Sequence, residues 1–360
     1  MAAIVHAMCA SEKTASAESQ RFEGLSDALL DWYSEHAREL PWRIGPGERA
    51  RGVEPDPYRV WLAEIMLQQT TVPHATRYYL DFTARWPTVE ALASAEDEDV
   101  MAAWAGLGYY ARARNLLKCA RAVAERGGWP NTEAGLRELP GIGPYTAGAV
   151  AALAFGEPSA AIDGNVDRVF ARLLAAKGEW KSEKAAIASI VRALVPADRP
   201  AEFAEALMDL GATICTPKSP NCLLCPVRAW CAAQAEGDPE RYPLKPAKKP
   251  KPRRFGEVYI ATRGRDVLTE RRPETGLLGG MRGLPTSDWT EAGNSARLGW
   301  VPDDAEALGQ VRHVFTHFEL HLDVIPIELE DAPESFDWTP RSKAADALPS
   351  VFRKALKLAG

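Results

Sequence analysis

The chain has 360 residues, of which 46% are hydrophobic and 26% are charged. These values are close to the averages of globular proteins, so they exclude a disordered chain, a collagen-like chain and a bundle of membrane helices. The length predicts two domains, because domains usually have about 100–200 residues. Six cysteines are too few for a disulfide scaffold. The net charge of −6 excludes a uniformly basic nucleic-acid binder but leaves room for a local basic surface.

The beginning of the chain lacks the features of a targeting signal. Residues 1–24 contain a short apolar patch but no basic leading segment and no sustained apolar core, so we expect a disordered N-terminus. Residues 139–155 carry no charge, but their prolines and glycines favour a turn before a buried helix over a membrane span. We expect a monomeric protein without membrane attachment, in the reducing environment of the cytoplasm.

The chain divides into three segments of different composition. From 25 to 240 the apolar residues recur with helical spacing, whereas from 255 to 360 they alternate as in strands. Between these parts, residues 241–254 contain seven Lys or Arg, four prolines and no acid, which predicts an extended linker. The linker serves either as a solubilising spacer or as a strap along nucleic-acid phosphate. The predicted fold class is therefore multidomain, with an all-α domain followed by a smaller α+β domain.

The clearest elements have definite bounds in the sequence. A helix over 58–70 is apolar on most sides, which predicts that it is buried. Strands are predicted over 257–262 and 311–327 from their alternation. Further helices are predicted over 96–104, 112–125, 144–155, 166–176 and 203–210.

Four cysteines lie close together in the segment 215–231, with the spacing C-x6-C-x2-C-x5-C. They are Cys215, Cys222, Cys225 and Cys231. Four thiolates in so short a segment can surround one metal centre, and both zinc and a [4Fe–4S] cluster accept four cysteines. Only Cys222 and Cys225 have the short spacing that is typical of zinc knuckles. The remaining alternative is that the four cysteines are unrelated buried thiols. Such a centre can pin a loop whose basic residues, Lys218 and Arg228, face DNA.

A glycine-rich turn precedes the uncharged helix at 144–155. Residues 139–150 read LPGIGPYTAGAV, in which Gly141 and Gly143 permit a tight turn and expose the backbone. The turn leads directly into a helix N-terminus, whose free N–H groups attract an anion such as phosphate. The alternative is an ordinary corner between two helices. The pattern therefore predicts either a sequence-independent phosphate contact or a plain helix–turn–helix corner.

Two acidic residues stand in contrasting surroundings. Glu64 shares a helical face with Val60, Trp61 and Leu67, and apolar surroundings raise the pKa of a carboxyl group into the range of a general acid. Pairing with an arginine at the edge of a buried face is the alternative for this residue. Asp163 stands at the start of a predicted helix, where it either caps the helix or faces a cation that forms during a reaction.

Together these motifs resemble the helix–hairpin–helix DNA glycosylase superfamily, whose members carry such a hairpin and a catalytic aspartate after it. The cysteine spacing resembles that of its [4Fe–4S] branch. Residues 61–70, WLAEIMLQQT, and 106–114, GLGYYARAR, resemble the MutY-like adenine glycosylases of this branch. The resemblance extends over roughly 25–352. It implies an enzyme that hydrolyses the N-glycosidic bond of adenine paired with 8-oxoguanine or guanine in double-stranded DNA and so initiates base excision repair, in the cytoplasm at the nucleoid of a bacterium.

The resemblance also implies roles for individual residues. Glu64 would protonate the adenine ring, Asp163 would stabilise the positively charged sugar, and Tyr145 and Asn165 would support Asp163. Tyr145 matches the position where bifunctional relatives carry a Schiff-base lysine, so little or no AP-lyase activity is expected. The metal centre would be a [4Fe–4S] cluster. The DNA contacts implied for this domain are Gln69 and Tyr109 as wedges, Thr70 and Leu107 beside them, Gly141 and Gly143 at phosphate, and Glu205 at the adenine edge.

The second domain contains a segment rich in histidine, HVFTHF at 313–318. Its apolar residues alternate with the histidines, which indicates one continuous strand rather than a helical zinc site. The segment resembles the H-x-F-[ST]-H motif of the Nudix-like C-terminal domain of MutY-like enzymes, which implies that Phe315, Thr316 and His317 sense 8-oxoguanine. Residues 271–280, RRPETGLLGG, lack the acidic box that holds magnesium in Nudix hydrolases, so no pyrophosphohydrolase activity is expected.

Two other functions compete with adenine release. A thymine-mismatch or oxidised-pyrimidine glycosylase has the same helical fold but would lack the second domain. A non-catalytic iron–sulfur module that binds DNA would leave Glu64 and Asp163 without a chemical role.

Overall fold

The structure, a computed structural model, describes residues 21–244, 250–273 and 276–360. The described residues up to 244 belong to one compact unit and those from 250 onwards to a second. Residues 1–20, which were predicted to be disordered, lie outside the described residues. The same holds for 245–249, the middle of the predicted linker. Across the described ranges, no helix combines the length and the apolar character needed to cross a bilayer.

The first unit is helical throughout its described part. Its helices are α1 (Leu25–His36), α2 (Pro46–Ala50), α3 (Pro57–Leu67), α4 (Val72–Arg85), α5 (Val89–Ala93), α6 (Asp97–Ala103), α7 (Ala111–Arg126), α8 (Glu133–Leu136), α9 (Pro144–Phe155), α10 (Gly164–Leu174), α11 (Trp180–Leu194), α12 (Pro200–Asp209) and α13 (Ala232–Ala235). A π-helical turn, Leu210–Ile214, follows α12, and short 3-10 turns occupy Cys222–Leu224, Arg228–Trp230 and Pro239–Arg241.

Two apolar clusters hold these helices together. One is centred on α3, α7 and α9 and includes Trp61 and Trp104, while the other joins α1, α10 and α12 through residues such as Phe170 and Phe203. Half of the residues of helix α9 are alanine or glycine, and its neighbours approach closely. A Cβ atom at Gly148 would lie 2.7 Å from the carbonyl oxygen of Ala160. The small residues of α9 therefore set the tight packing behind the hairpin.

The helix that carries Glu64 is shorter than predicted. It was predicted over 58–70 but ends at Leu67. Gln69 adopts a left-handed backbone conformation with φ of 57°, which is incompatible with continued α-helix. The chain therefore leaves the helix in a strained turn at the point where Gln69 and Thr70 were predicted to meet DNA.

The second unit contains a mixed sheet packed between two layers. Its strands are β1 (Arg253–Arg263), β2 (Asp266–Arg271), β3 (Arg282–Gly283), β4 (Gly309–Val314), β5 (Glu319–Glu328) and β6 (Asp337–Pro340), followed by α14 (Arg341–Ala347) and α15 (Ser350–Leu358). The strand order is β3-β2-β1-β5-β4, with β6 paired to β2. Strands β1 and β5 are parallel.

The sheet is buried on both faces, as successive residues of β1 demonstrate. Val258 and Ile260 pack with Phe352 of α15, whereas Tyr259 and Ala261 belong to a separate cluster on the opposite face. A helical unit followed by an α+β unit confirms the predicted fold class.

Two sequence predictions about element bounds are corrected. Residues 311–327 do not form one strand, because β4 and β5 pair antiparallel and the chain reverses at 315–318. Residues 21–24, which were predicted to be disordered, are ordered. Phe22 is 1% exposed and contacts Phe170 edge-on, so burial of its ring anchors this segment to α10.

The predicted linker, 241–254, is also shorter at both ends. Tyr242 is buried in the helical unit, where its carbonyl oxygen accepts a hydrogen bond from Arg172. Arg253 and Arg254 already belong to β1, whose pairing with β5 satisfies their backbone groups. Backbone hydrogen bonding and burial of the tyrosine therefore draw both ends into folded units.

Candidate active site and cysteine loop

One cavity of the helical unit collects most of the predicted active-site residues. It has a volume of about 340 Å³, which lies in the range of sites for small ligands. Helix α3, the turn after it and the starts of α9 and α10 border the cavity, together with α12. The predicted residues that line it are Glu64, Gln69, Thr70, Tyr145, Asp163, Asn165 and Glu205.

Glu64 is the buried acid that the apolar face of α3 predicts. Glu64 is 5% exposed, and Val60 and Trp61 beside it are buried. Burial raises the pKa of Glu64 to about 7, against the opposing effect of a 2.7 Å hydrogen bond that the Tyr145 hydroxyl donates to Oε2. A carboxyl group with this pKa is partly protonated near neutral pH, so it can give up a proton there.

Tyr145 occupies the first turn of α9, directly after Pro144. Burial raises its pKa well above the ordinary value, and the neighbouring charge of Glu64 adds to this shift. The hydroxyl therefore stays protonated and donates to Glu64. The resemblance implies that Tyr145 supports Asp163, whose charge does act on the Tyr145 hydroxyl, but its hydrogen-bond partner is Glu64, which lies 81 positions away in the chain.

Asp163 caps helix α10 and faces the same cavity. Its Oδ1 accepts hydrogen bonds of 2.8 Å from the backbone N–H groups of both Asn165 and Val166. Its Oδ2 accepts a third, of 2.6 Å, from the Asn165 amide. Three donors converge on this carboxyl group, an arrangement that suits an anion. Helix capping and a position at the cavity are therefore combined in one residue.

The Asn165 side chain is fixed by two neighbours that sequence reasoning missed. Its Oδ1 accepts a 3.0 Å hydrogen bond from Arg168, which also donates to the carbonyl oxygens of Gly211 and Cys215. A Cβ atom at Gly211 would lie 2.6 Å from the Cβ of Asn165. A glycine is therefore needed where the π-helical turn passes this amide. The sequence carries no periodic signal for either contact.

Glu205 lies at the back of the cavity in a network of buried charges. It is 2% exposed, and its Oε2 accepts a 2.8 Å hydrogen bond from the Tyr33 hydroxyl. Burial raises its pKa, whereas the guanidinium groups of Arg43 and Arg49, at 3.6 and 3.8 Å from Oε1, oppose the shift. Arg43 also pairs with the fully buried Asp209 at 2.8 Å. These partners come from three distant segments, which explains why sequence reasoning found Glu205 alone.

The two predicted wedge residues share an unusual backbone geometry. Gln69 and Tyr109 have φ angles of 57° and 49°, although neither is a glycine. Both side chains are exposed, and half of the large Tyr109 surface faces solvent, so its ring is not part of the helical core. Leu107 differs from its prediction as a DNA contact, because it is 6% exposed and packs in the helical core.

The glycine hairpin presents an exposed backbone before α9. Gly141 and Gly143 are both exposed, and Gly143 is the N-cap residue of the helix. Gly141 has a φ angle of 75°, and a Cβ atom there would lie 2.6 Å from Asn115. Only glycine fits this turn, and the exposed helix N-terminus remains suited to an anion.

The four cysteines of 215–231 line a common cavity. Arg172, which is 1% exposed, donates a 3.2 Å hydrogen bond to the Cys215 sulfur and a 2.7 Å bond to the Thr216 carbonyl oxygen. Burial raises the pKa of the Cys225 thiol to about 12, so this sulfur needs a bound cation to become a thiolate near neutral pH. Within the described ranges, no three His, Cys, Asp or Glu side chains are close enough to hold a single metal ion.

The predicted lesion-sensing residues occupy the tip of the β4–β5 hairpin. Thr316 and His317 are exposed there. Phe315 is partly buried instead, with its ring 4.6 Å from that of His313 and stacked on Trp289 at 6.2 Å. The Phe315 ring is therefore fixed by contacts within the second unit, while Thr316 and His317 present hydrogen-bonding groups at the surface.

The helical fold, the exposed hairpin and a cavity lined by three carboxyl groups, those of Glu64, Asp163 and Glu205, are those of a DNA glycosylase. Residues 62–194 match the family model of the HhH-GPD superfamily base excision DNA repair proteins, and residues 257–358 match that of the NUDIX domain. The fold also resembles that of a thermostable thymine-DNA glycosylase, with a TM-score of 0.53 and 28% identity over 61% of this chain and 99% of that one.

Longer similarities define the family more closely. The chain is 32% identical to the human adenine DNA glycosylase, over 94% of this chain and 74% of the human one. It is 32% identical to the adenine DNA glycosylase of Buchnera aphidicola (Acyrthosiphon pisum), over 86% of this chain and 88% of that protein. The rat enzyme of the same name is 34% identical, over 84% of this chain and 70% of its own length. The chain belongs to the adenine DNA glycosylase family and is a DNA N-glycosylase of base excision repair.

Proposed function

We propose that this enzyme removes adenine that is paired with 8-oxoguanine or guanine in double-stranded DNA, and that it does so by hydrolysis alone. The observation that carries the proposal is the pair of carboxyl groups in one cavity, with Glu64 buried and partly protonated and Asp163 held by three donors. Two carboxyl groups in contrasting environments are what acid-assisted cleavage of a glycosidic bond requires.

In the proposed reaction, Glu64 donates its proton to a ring nitrogen of adenine, so that the base leaves as a neutral molecule. The positive charge that develops on the sugar is stabilised by the Asp163 carboxylate, and a water molecule completes the hydrolysis. Tyr145 orients Glu64, and Asn165 orients Asp163 through its 2.6 Å hydrogen bond. Glu205 and the guanidinium of Arg49, both at the cavity wall, supply an acceptor and donors for the adenine edge.

Adenine must leave the base stack to reach this cavity, and a mismatched base is the least costly to extrude. We propose that Gln69 and Tyr109 enter the space that the base vacates, since both are exposed on strained turns. The backbone at Gly141 and Gly143 would bind phosphate. Side chains of the enzyme would thus displace the target adenine, while main-chain N–H groups of the hairpin would hold the phosphate backbone of the DNA.

A panel of four duplexes tests the proposed substrate. The duplexes contain adenine opposite 8-oxoguanine, adenine opposite guanine, thymine opposite guanine, and thymine glycol. We expect free adenine from the first two and no base from the others. Thymine release would favour the rival mismatch specificity, and no release from any duplex would refute the proposal.

Replacing Tyr145 with phenylalanine should change the pH dependence of the reaction. The Tyr145 hydrogen bond favours the charged form of Glu64, so its loss raises the pKa of Glu64 above the value of about 7. The single-turnover rate, which should fall above this pKa as the acid loses its proton, should then fall at a higher pH. Tyr79→Phe is the matched control, because its buried hydroxyl has no hydrogen-bond partner among the described residues. An unchanged pH profile in Tyr145→Phe would contradict the assignment of Glu64 as the acid.

We propose that the enzyme lacks a strong AP-lyase activity, because a tyrosine occupies the first turn of α9 where the resemblance places the Schiff-base lysine. A phenol cannot form a Schiff base with the opened sugar. Borohydride added during turnover should therefore trap no covalent complex with DNA. Tyr145→Lys should gain a trapped complex, and its complete absence would argue against this position as the lysine equivalent.

We propose that the cysteine loop holds a [4Fe–4S] cluster, with Cys215, Cys222, Cys225 and Cys231 as its ligands. Two features of the loop support this: all four cysteines line one cavity, and their spacing resembles that of the [4Fe–4S] glycosylases. When bound, such a cluster would tie the loop to α10 and keep Lys218 and Arg228, both exposed, available for phosphate.

Cys225→Ser should lower the iron and sulfide content of the purified protein and weaken its absorbance in the visible range. Serine is a poorer ligand for iron than a thiolate, so one missing sulfur destabilises the whole cluster. The control is Cys119→Ser, because Cys119 is buried in α7 away from the loop. Zinc in place of iron in the wild-type protein would refute the cluster assignment.

We propose that the second unit recognises 8-oxoguanine through Thr316 and His317, with Phe315 as a fixed support. The double substitution Thr316→Val with His317→Ala should reduce the preference for 8-oxoguanine over guanine, measured as the ratio of the two single-turnover rates. Each lost specific hydrogen bond corresponds to about 1 kcal/mol, or severalfold in that ratio. Glu328→Ala, exposed at the far end of β5, should leave it unchanged. An unchanged ratio in the double variant would exclude the hairpin tip as the sensor.

We further propose that the enzyme acts as a monomer, in which the helical unit is the glycosylase domain and the second unit is the recognition domain. Because chromosomal DNA is the proposed substrate, it would act in the cytoplasm at the nucleoid of a bacterial cell. Light scattering of the free protein and of its DNA complex should give the mass of one chain.

A further inference from the structure

Arg112 joins the two turns that carry Gln69 and Tyr109. One of its terminal nitrogens, Nη1, donates to the carbonyl oxygens of Ile65 at 2.9 Å and Gln68 at 2.7 Å, with a longer contact of 3.4 Å to Met66. The other, Nη2, donates to the carbonyl oxygens of Leu107 at 3.1 Å and Gly108 at 3.4 Å. One guanidinium group therefore connects the end of α3 with the turn before α7.

Two of the acceptors belong to the peptide groups that lead into the strained residues. The Gln68 carbonyl belongs to the peptide plane before Gln69, and the Gly108 carbonyl to the plane before Tyr109. The orientation of each plane determines the φ angle of the residue that follows it. Both of these φ angles lie in the left-handed region, at 57° and 49°, which is unfavourable for residues with a side chain. Hydrogen bonds from Arg112 thus stabilise the two peptide groups that precede Gln69 and Tyr109, where the backbone is strained.

The surroundings of Arg112 suit a structural cation rather than a phosphate ligand. Its Nε is buried without a hydrogen-bond partner, and no carboxylate among the described residues forms an ion pair with it. The guanidinium lies over the rings of Trp104 and Tyr109, with its central carbon 5.4 and 5.5 Å from their centroids. The contact with Tyr109 adds a second constraint on the exposed ring.

We propose that Arg112 is a positioning residue for base extrusion, which holds the turns of Gln69 and Tyr109 together so that both side chains enter the duplex as one preformed wedge. The proposal rests on the proposed function, because it presupposes that adenine is flipped into the cavity. Arg112 acts through these two residues and does not touch the base. Without it, each turn can relax toward an unstrained backbone, and extrusion of adenine becomes the step that fails.

The test separates extrusion from binding and from chemistry. In a Glu64→Gln background, which should bind DNA without releasing adenine, 2-aminopurine beside the target adenine reports unstacking as a rise in fluorescence. Adding Arg112→Met should abolish most of the rise at saturating protein, while the half-saturation concentration from anisotropy changes little. With Glu64 intact, Arg112→Met should lower the saturating single-turnover rate by about tenfold or more, because extrusion of a paired base costs a few kcal/mol.

Two further variants keep the outcome decisive. Arg121→Met is the matched control, because Arg121 lies on the same helix and donates to the carbonyl oxygens of Ala93 and Ala95, away from both turns. It should retain the fluorescence rise. Arg112→Lys replaces the methionine variant if that variant fails to fold, as judged by circular dichroism, and should lose part of the rise because one ammonium group cannot reach both turns. A full rise in either Arg112 variant, or failure of both to fold, would overturn the proposal. Absence of adenine release by the unmodified enzyme would instead refute the proposed function.

Discussion

Glu64→Gln should bind mismatched DNA normally and release adenine about 10²–10⁴ times more slowly than the unmodified enzyme, the range expected for the loss of a general acid. The amide has nearly the same shape as the carboxyl group and can still accept the Tyr145 hydrogen bond, so the cavity should keep its geometry. The amide has no proton to transfer to the adenine ring. Single-turnover release and equilibrium binding, measured on one duplex, separate these two effects.

Glu202→Gln provides the matched control for this loss. Glu202 is also a buried glutamate of the helical unit, 8% exposed, but it pairs with Arg199 and does not border the active-site cavity. Its substitution should affect the free energy of unfolding more than the rate of adenine release. A Glu64→Gln enzyme within tenfold of the wild-type rate would show that another group supplies the proton.

Local patterns predicted some of these features well. Helix α9 has the predicted bounds, because Pro144 favours a helix start and Gly156 adopts the left-handed conformation that ends it. The apolar neighbours of Glu64 predicted its burial and the direction of its pKa shift. In both cases the information lies within one turn of the helix, where residue spacing fixes which side chains are neighbours.

Features that depend on tertiary contacts were either not predicted or predicted wrongly from the sequence. The ion pairs of Glu205 and Asp209 with Arg43 join residues more than 160 positions apart in the chain, and no periodic pattern links them. The left-handed turns at Gln69 and Tyr109 involve residues that rarely adopt such angles, and Arg112, which stabilises them, has no sequence signature. Alternation continued through 315–318, so the sequence did not reveal that β4 and β5 form a hairpin.

Substitution of Asp163 should also slow adenine release strongly. The sequence left two roles open for this residue, as a helix cap or as a carboxylate that faces a cation formed during the reaction. Asp163→Ser should keep helix α10 capped, because serine and aspartate are similarly good N-caps, and the free energy of unfolding should change by less than about 1 kcal/mol. The same substitution removes the negative charge that we propose to face the sugar. Loss of one preorganised electrostatic partner typically slows a reaction by about 10²–10³-fold, and we expect a loss of that size in single-turnover adenine release.

Asp167→Asn distinguishes loss of this charge from a general effect of altering α10. Asp167 lies one turn further along the same helix, where it pairs with Lys184 at 2.7 Å and does not border the active-site cavity. Its substitution should leave adenine release within a few-fold of the wild type, since a partly exposed ion pair contributes about 1 kcal/mol or less to stability. If Asp163→Ser retained the wild-type rate while chemical denaturation confirmed its stability, Asp163 would be a cap alone. Charge stabilisation at the sugar would then have to come from elsewhere in the cavity.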